Sequence, residues 1–234
     1  MRILITHVTR MARGFCCVAG ITERDHCHVR PVIAGRLGTA LLAPQGPFDF
    51  GAVVDLGRTH FAGHTPPEVE DHLFAPERAQ QVGYVSPGRV WEVLRQTAAA
   101  SLSELFGPEL ERHPGTGKAS VALLRGISSL GVYRPVAGCT LTAKSSSGSR
   151  ALRIRLPAEG LDLSLTDARY YTDEFQAPDV DRVARATAAL AAGDEVLLGV
   201  GLTRPFASSE EMDERHWLQV NALHLRSDPG LRLA

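Results

Sequence analysis

Short apolar runs, most of them under nine residues and closed by glycine, proline or serine, dominate this chain and restrict it to a mainly β fold. Residues 2–8 and 15–21 are β-branched runs. Residues 26–32 alternate, with Cys27, Val29 and Pro31 on one face and His26, His28 and Arg30 on the other. Residues 50–56 make a fourth strand, and 119–124, 131–136, 140–144, 152–156, 161–165, 195–202 and 217–225 make the rest. Residues 35–48, with three glycines and two prolines, read as a loop, Ser145–Ser149 as a hairpin tip, and Glu210–Arg215 as a charged loop or short helix. Helical spacing appears in two longer places. Val90, Val93, Leu94 and Thr97 share one face of 89–100 behind Ser86-Pro87-Gly88, and 180–192 follows Pro178-Asp179 and stops at Gly193. Ser101-Leu102-Ser103-Glu104 is a capping box for a short helix ending near Gly107. The expected class is mostly β with a few helices, α+β.

Charge comes in blocks. Residues 1–48 carry +4, 49–112 carry −5, 113–158 carry +7 with no acid, and 159–234 carry −7, within a net charge of −1. Such sorting can present a positive face to phosphate; the opposing outcome is that folding interleaves the blocks. No run approaches the roughly 18 apolar residues of a membrane span, and the opening apolar run is too short for a signal peptide. A cytoplasmic protein with no membrane partner is expected.

Known catalytic patterns are missing. Gly115-Thr116-Gly117-Lys118 lacks both the earlier glycine and the following hydroxyl of a phosphate loop, and reads as a surface turn, with Lys118 able to face a phosphate. His60, His64 and His72 match no ligand spacing, and no nucleophile elbow or dinucleotide fingerprint occurs. Cys16, Cys17, Cys27 and Cys139 contain no CxxC pair, and buried free thiols are expected rather than zinc. No cofactor and no metal are expected. What remains is a binding surface: His28 and Arg30 on one strand, Arg153 and Arg155 on another, and Arg134 beside the aromatic plane of Tyr133, with Trp217 beside His216. Alternate strand arginines can fork around phosphate. The pairs Thr9-Arg10 and Thr203-Arg204, each leaving an apolar run, and the two Arg-Pro-Val triplets at 30–32 and 134–136 suggest a weak two-fold repeat.

These motifs coincide with those of a bacterial family. The chain resembles the dual OB-containing domain in Ile3-Leu-Ile-Thr-His-Val-Thr-Arg-Met11, Gly14-Phe-Cys-Cys-Val-Ala-Gly20, His28-Val-Arg-Pro-Val32, Gly117-Lys-Ala-Ser120, Gly201-Leu-Thr-Arg-Pro-Phe206 and His216-Trp-Leu-Gln-Val-Asn221. The resemblance implies two small five-stranded OB-like barrels, assigned to 1–112 with a helical insert and to 113–234 with a helix. It also implies nucleic-acid recognition, within a prokaryotic defence or repair system, by Thr9, Arg10, His28, Arg30, Lys118, Thr203 and Arg204. The inserts at 35–49 and 58–90 depart from a minimal barrel. The leading expectation is a binder of single-stranded nucleic acid or nucleotide with no chemistry of its own. One alternative is an enzyme acting on a nucleotide or modified base, in which Thr9-Arg10 and Thr203-Arg204 converge on one pocket and His28 serves as acid or base. The other is a module that docks a partner protein.

Overall fold

In a computed structural model, described for all residues except 12–13, 147–148, 173–174, 208–212 and 234, the chain forms two β-sheets packed through a shared seam. The side chains of 145–150 also lie outside this description. The hairpin tip at Ser145–Ser149 and the segment Glu210–Arg215 therefore fall partly outside it.

The first sheet is built on β1 (Arg2–Arg10) and β2 (Phe15–Thr22), an antiparallel pair. β3 (His28–Val32) continues beyond β2, which also pairs with β4 (Leu37–Gly38); β5 (Ala52–Asp55) flanks β1 on the other side. The edges are β6 (His60–Phe61) on β7 (Asp71–Leu73), which lies parallel to β3, and β8 (Gln80–Tyr84) on β5. The register of β1 against β2 slips between Ile5 and His7. Ile3 and Ile5 point into the first core, and after the slip it is Val8 that does so. One extra residue thus inverts the alternation and turns Thr9 away from that core.

Helix α1 (Pro87–Thr97) buries Val90, Trp91, Val93 and Leu94 against Leu4 and Ile21 of the first sheet, Phe50 in the turn before β5, and Val132 and Leu197 of the second sheet. It is the wedge between the halves. It stops at Thr97, short of the predicted residue 100, because Ala98–Ala99 extends as β9 and pairs with the second sheet. In α2 (Leu102–Phe106) the Ser101 hydroxyl accepts from the Glu104 N–H at 3.1 Å and the Glu104 carboxylate accepts from the Ala100 N–H at 3.2 Å. Gly107, at φ +90, ends the helix in a conformation that favours glycine. Leu102 and Phe106 enter the second core.

The second sheet comprises β10 (Glu111–His113), β11 (Lys118–Ala122), β12 (Leu130–Tyr133), β13 (Thr140–Ser146), β14 (Ser149–Leu156), β15 (Leu161–Leu165), β16 (Val196–Leu202) and β17 (Arg215–Leu225). Its order is β13-β14-β15-β17-β16-β12-β9, with β11 also on β17 and β10 on β11. Helix α3 (Val180–Ala191) covers its core, capped by Asp179, whose carboxylate accepts from the Arg182 N–H at 3.0 Å. The α+β class holds. Among the described residues the end strands of neither sheet pair with each other, so the pairing does not close a barrel.

Two buried polar groups fasten the seam. Asp167 is fully buried and its carboxylate accepts from the backbone N–H groups of Arg169 and Leu223 and from the Arg169 guanidinium at 2.7 and 2.9 Å. That guanidinium lies 4.0 Å over Phe50 of the first half. His7 of β1 packs so closely on Gly199 of β16 that a Cβ there would lie 2.2 Å from its Nε2. Close approach at this point needs glycine. Among the described residues no helix is long and apolar enough to cross a membrane.

Candidate functional site

Where β1 ends, still paired with β2, it also hydrogen-bonds the other half: Arg10 N–H donates to Thr166 O at 2.8 Å, and Thr9 bridges to Asp167. This contact lines up Thr9-Arg10 with the exit of β16, Thr203-Arg204. Both pairs line one cleft of about 500 Å³ between the sheets, together with Arg30 of β3, Arg36, and Gln219 and Asn221 of β17. Alternation along β17 puts Gln219 and Asn221 on one face, where the Gln219 amide donates to the Asn221 carbonyl at 2.8 Å.

The cationic groups in the cleft are held differently. Arg30 is buried; its Nε donates to Asp71 Oδ1 at 2.5 Å, and its Nη2 has no partner among the described residues. Asp71 Oδ2 accepts from Arg204 Nη2 at 2.6 Å, and Arg204 also pairs with Glu68. Arg10 stacks 3.9 Å over Tyr171 and donates to Phe175 O at 2.9 Å, and its buried Nε has no partner among the described residues. Arg36 is exposed, 5.6 Å over Phe15. Among the described residues neither Arg10 nor Arg36 meets a carboxylate. Cys17 also lines the cleft. Burial raises its pKa and the nearby Arg30 and Arg204 only partly offset this, so it is held as a thiol.

The segment that supplies Glu68 and Asp71 also supplies Glu70, whose carboxylate accepts from Ser129 N–H at 2.9 Å, Ser129 Oγ at 2.6 Å and Leu130 N–H at 3.2 Å. Three acids of the −5 block therefore latch the first half onto the second.

Other predicted site residues lie elsewhere. His26 sits in a turn at φ +55 rather than on a strand face with His28 and Arg30. Arg30 does line the cleft, but as a buried wall residue rather than on an open strand face, because pairing β3 with β7 sets it directly opposite Asp71. His28 is not a cleft residue. Its ring stands 6.3 Å from that of His7, and burial lowers its pKa to about 4. Lys118 is exposed at the end of the Gly115–Gly117 turn, its ammonium 5.3 Å from the Trp217 ring. Trp217 is itself buried, as is Tyr133, whose hydroxyl donates to Glu159 and whose face is unavailable for stacking. Arg134 pairs with Glu195. Arg153 is committed to Asp162 at 3.0 Å and Ser164 at 2.8 Å, so it forms no fork with the exposed Arg155. Acids from 159–195 thus interleave with the acid-free block. Cys16 and Cys139 are buried thiols, whereas Cys27 is exposed.

A family profile, the dual OB-containing domain, matches residues 1–223. The chain belongs to the dual OB-containing domain family. No significant match was found among curated proteins or solved structures. All the motifs that carried the resemblance fall inside the matched span, and five of its residues, Thr9, Arg10, Arg30, Thr203 and Arg204, meet in the cleft. Asp71, Arg36, Gln219 and Asn221 escaped the sequence reading. The last two stood in a quoted motif at strand-face spacing, which was a usable signal; Asp71 had none, since its partners lie 41 and 133 positions away.

Proposed function

We propose that the protein binds single-stranded nucleic acid or a nucleotide in this cleft, with the two sheets serving as OB-like halves, and performs no chemistry of its own. The observation that carries the reading is the convergence of Arg10, Arg30, Arg36 and Arg204, drawn from both halves, on one cavity. Arg10 and Arg36, which no carboxylate among the described residues neutralises, hold phosphate. Gln219 and Asn221 offer a carbonyl oxygen and an amide NH₂ to a base edge, since among the described residues neither group is hydrogen-bonded. Arg30 and Arg204 keep the wall in place through Asp71. Membership of a dual OB family supports the same reading, because OB folds bind single strands.

The test is a titration of labelled single-stranded DNA and RNA at several salt concentrations. Affinity should fall with salt, with a slope of about −0.7 in log units for each phosphate held. Salt-independent binding, or none, rejects the proposal.

One observation favours a second reading, an enzyme acting on a nucleotide or modified base: the Thr-Arg pairs meet in a cleft rather than on an open sheet face. His28 lies outside it, so the acid or base assigned to it by sequence has no place there. Turnover of a nucleotide, abolished by Arg204→Ala, would establish this reading instead.

A further inference from the structure

Building on the nucleic-acid reading, we infer that the cleft recognises a phosphate monoester, the end group of a strand or a free nucleotide, rather than a run of internal phosphodiesters. Two side chains that line it are short of acceptors. Arg30 is 5% exposed, and its Nη2 has no hydrogen-bond partner among the described residues; the same is true of Arg10 Nε. Guanidinium donors left unpaired in a buried wall are costly, and an oxyanion in the cleft relieves that cost.

The charge count points to a doubly charged group. Among the described residues four arginines line the cleft, and Asp71 and Glu68 neutralise two of them from behind. The excess of two matches a monoester, which carries roughly −1.5 to −2 at neutral pH, better than a diester with its single charge. The excess also sits at one place. Arg134, Lys144 and Arg153, which could have extended a cationic track over the second sheet, are paired with Glu195 and Asp162. A cavity of about 500 Å³ is of small-ligand size, and the Gln219 and Asn221 amides in the same lining can meet a base attached to the phosphate.

The test uses the full chain and one oligonucleotide sequence in four forms: 5′-phosphorylated, 3′-phosphorylated, unphosphorylated, and ligated into a circle. A nucleoside monophosphate and its nucleoside serve as competitors. One of the two end-phosphorylated forms should bind on the order of tenfold tighter than the circle and the unphosphorylated strand, as expected for hydrogen bonds to a charged group. The monophosphate should compete and the nucleoside should not. Arg10→Gln and Arg36→Gln should bring the preference close to one, whereas Arg58→Gln, an exposed arginine absent from the cleft lining, should leave it intact. If Arg10→Gln does not fold, exposed Arg36 carries the test. Equal binding of the circle and both phosphorylated strands overturns the monoester inference while leaving nucleic-acid binding in place. Binding of the monophosphate with no binding of any oligomer supports the monoester and rejects the strand. Binding of none of these probes rejects both.

Discussion

Asp71 and Arg204, 133 positions apart, meet at 2.6 Å, and the other oxygen of Asp71 holds buried Arg30. One carboxylate thereby joins a strand of the first sheet to the loop that leaves a strand of the second. The two legs are unequal. The Arg30 side chain is 6% exposed and that of Arg204 49%.

That inequality predicts the stability of two variants. Asp71→Asn leaves the Arg30 charge buried without its carboxylate and should cost about 3–5 kcal/mol. Arg204→Gln removes only a half-exposed arm of the latch and should cost about 1 kcal/mol or less. Urea unfolding of both proteins checks this. Equal losses would mean that the buried leg is not the stronger one.

Acid lability is the next expectation. His7 and His224 are buried at the seam and His28 is half-buried beside His7, each with a ring nitrogen that has no partner among the described residues. Burial, then neighbouring charge from His28 and Arg169, lowers the pKa of His7 to about 3; burial lowers that of His28 to about 4; burial and Arg169 hold His224 well below 6.5. The unfolded chain takes up these protons near pH 6.5 and the folded one does not, so stability is full above 6.5 and falls as pH drops towards 4. Each of these shifts acts in the same direction, so the three together make the protein less stable at pH 5.5 than at pH 7.5 by an amount on the order of a few kcal/mol. Urea midpoints measured from pH 7.5 to 5 should show that slope, and His28→Gln should remove about a third of it.

Glu70 has the opposite sign. Burial raises the pKa of its carboxyl, more than the hydrogen bonds from Ser129 and the charge of Arg30 lower it. Its folded form therefore favours the proton, and the stability it lends is greatest at low pH and is lost as pH rises through its folded pKa. Glu70→Gln keeps an oxygen for Ser129 N–H and Leu130 N–H and removes the buried charge, so at pH 7 it should be at least as stable as the parent. Glu70→Ala, which orphans those N–H groups, should lose about 2–3 kcal/mol. Thermal unfolding at pH 5 and pH 7 separates the two.

What was legible in the chain was local. Alternation found the long strands, the Ser101–Glu104 capping box found α2, and Asp179 with Gly193 bounded α3. The two-residue strands β4, β6 and β9 were invisible, because a pair of residues has no period and its strand character comes wholly from the partner. The same limit applied to the site. Thr9-Arg10 and Thr203-Arg204 could be matched as similar words at strand exits, but the acids that claim Arg30 and Arg204 lie in a differently charged block and reach them only through the β3–β7 pairing and the closure of the seam. Arg153 was a readable case. A hairpin of β14 with β15 sets Arg155 opposite Asp162 and Arg153 opposite Ser164, so the strand face was already supplied with a carboxylate.

Binding variants should divide by whether their charge is already spent. Arg36 is exposed at the cleft with no carboxylate partner among the described residues, and Arg36→Ala should weaken single-strand binding similarly for every base sequence and lower the magnitude of the salt slope by about 0.7. Arg153 is bonded to Asp162 and Ser164 on its own sheet, away from the cleft lining. Arg153→Ala should leave affinity and salt slope unchanged and cost about 1 kcal/mol or less of stability, because the pair is partly exposed. Fluorescence anisotropy at three salt concentrations reads both effects. If Arg153→Ala is the variant that loses binding, the nucleic acid lies across the second sheet and not in the cleft between the halves.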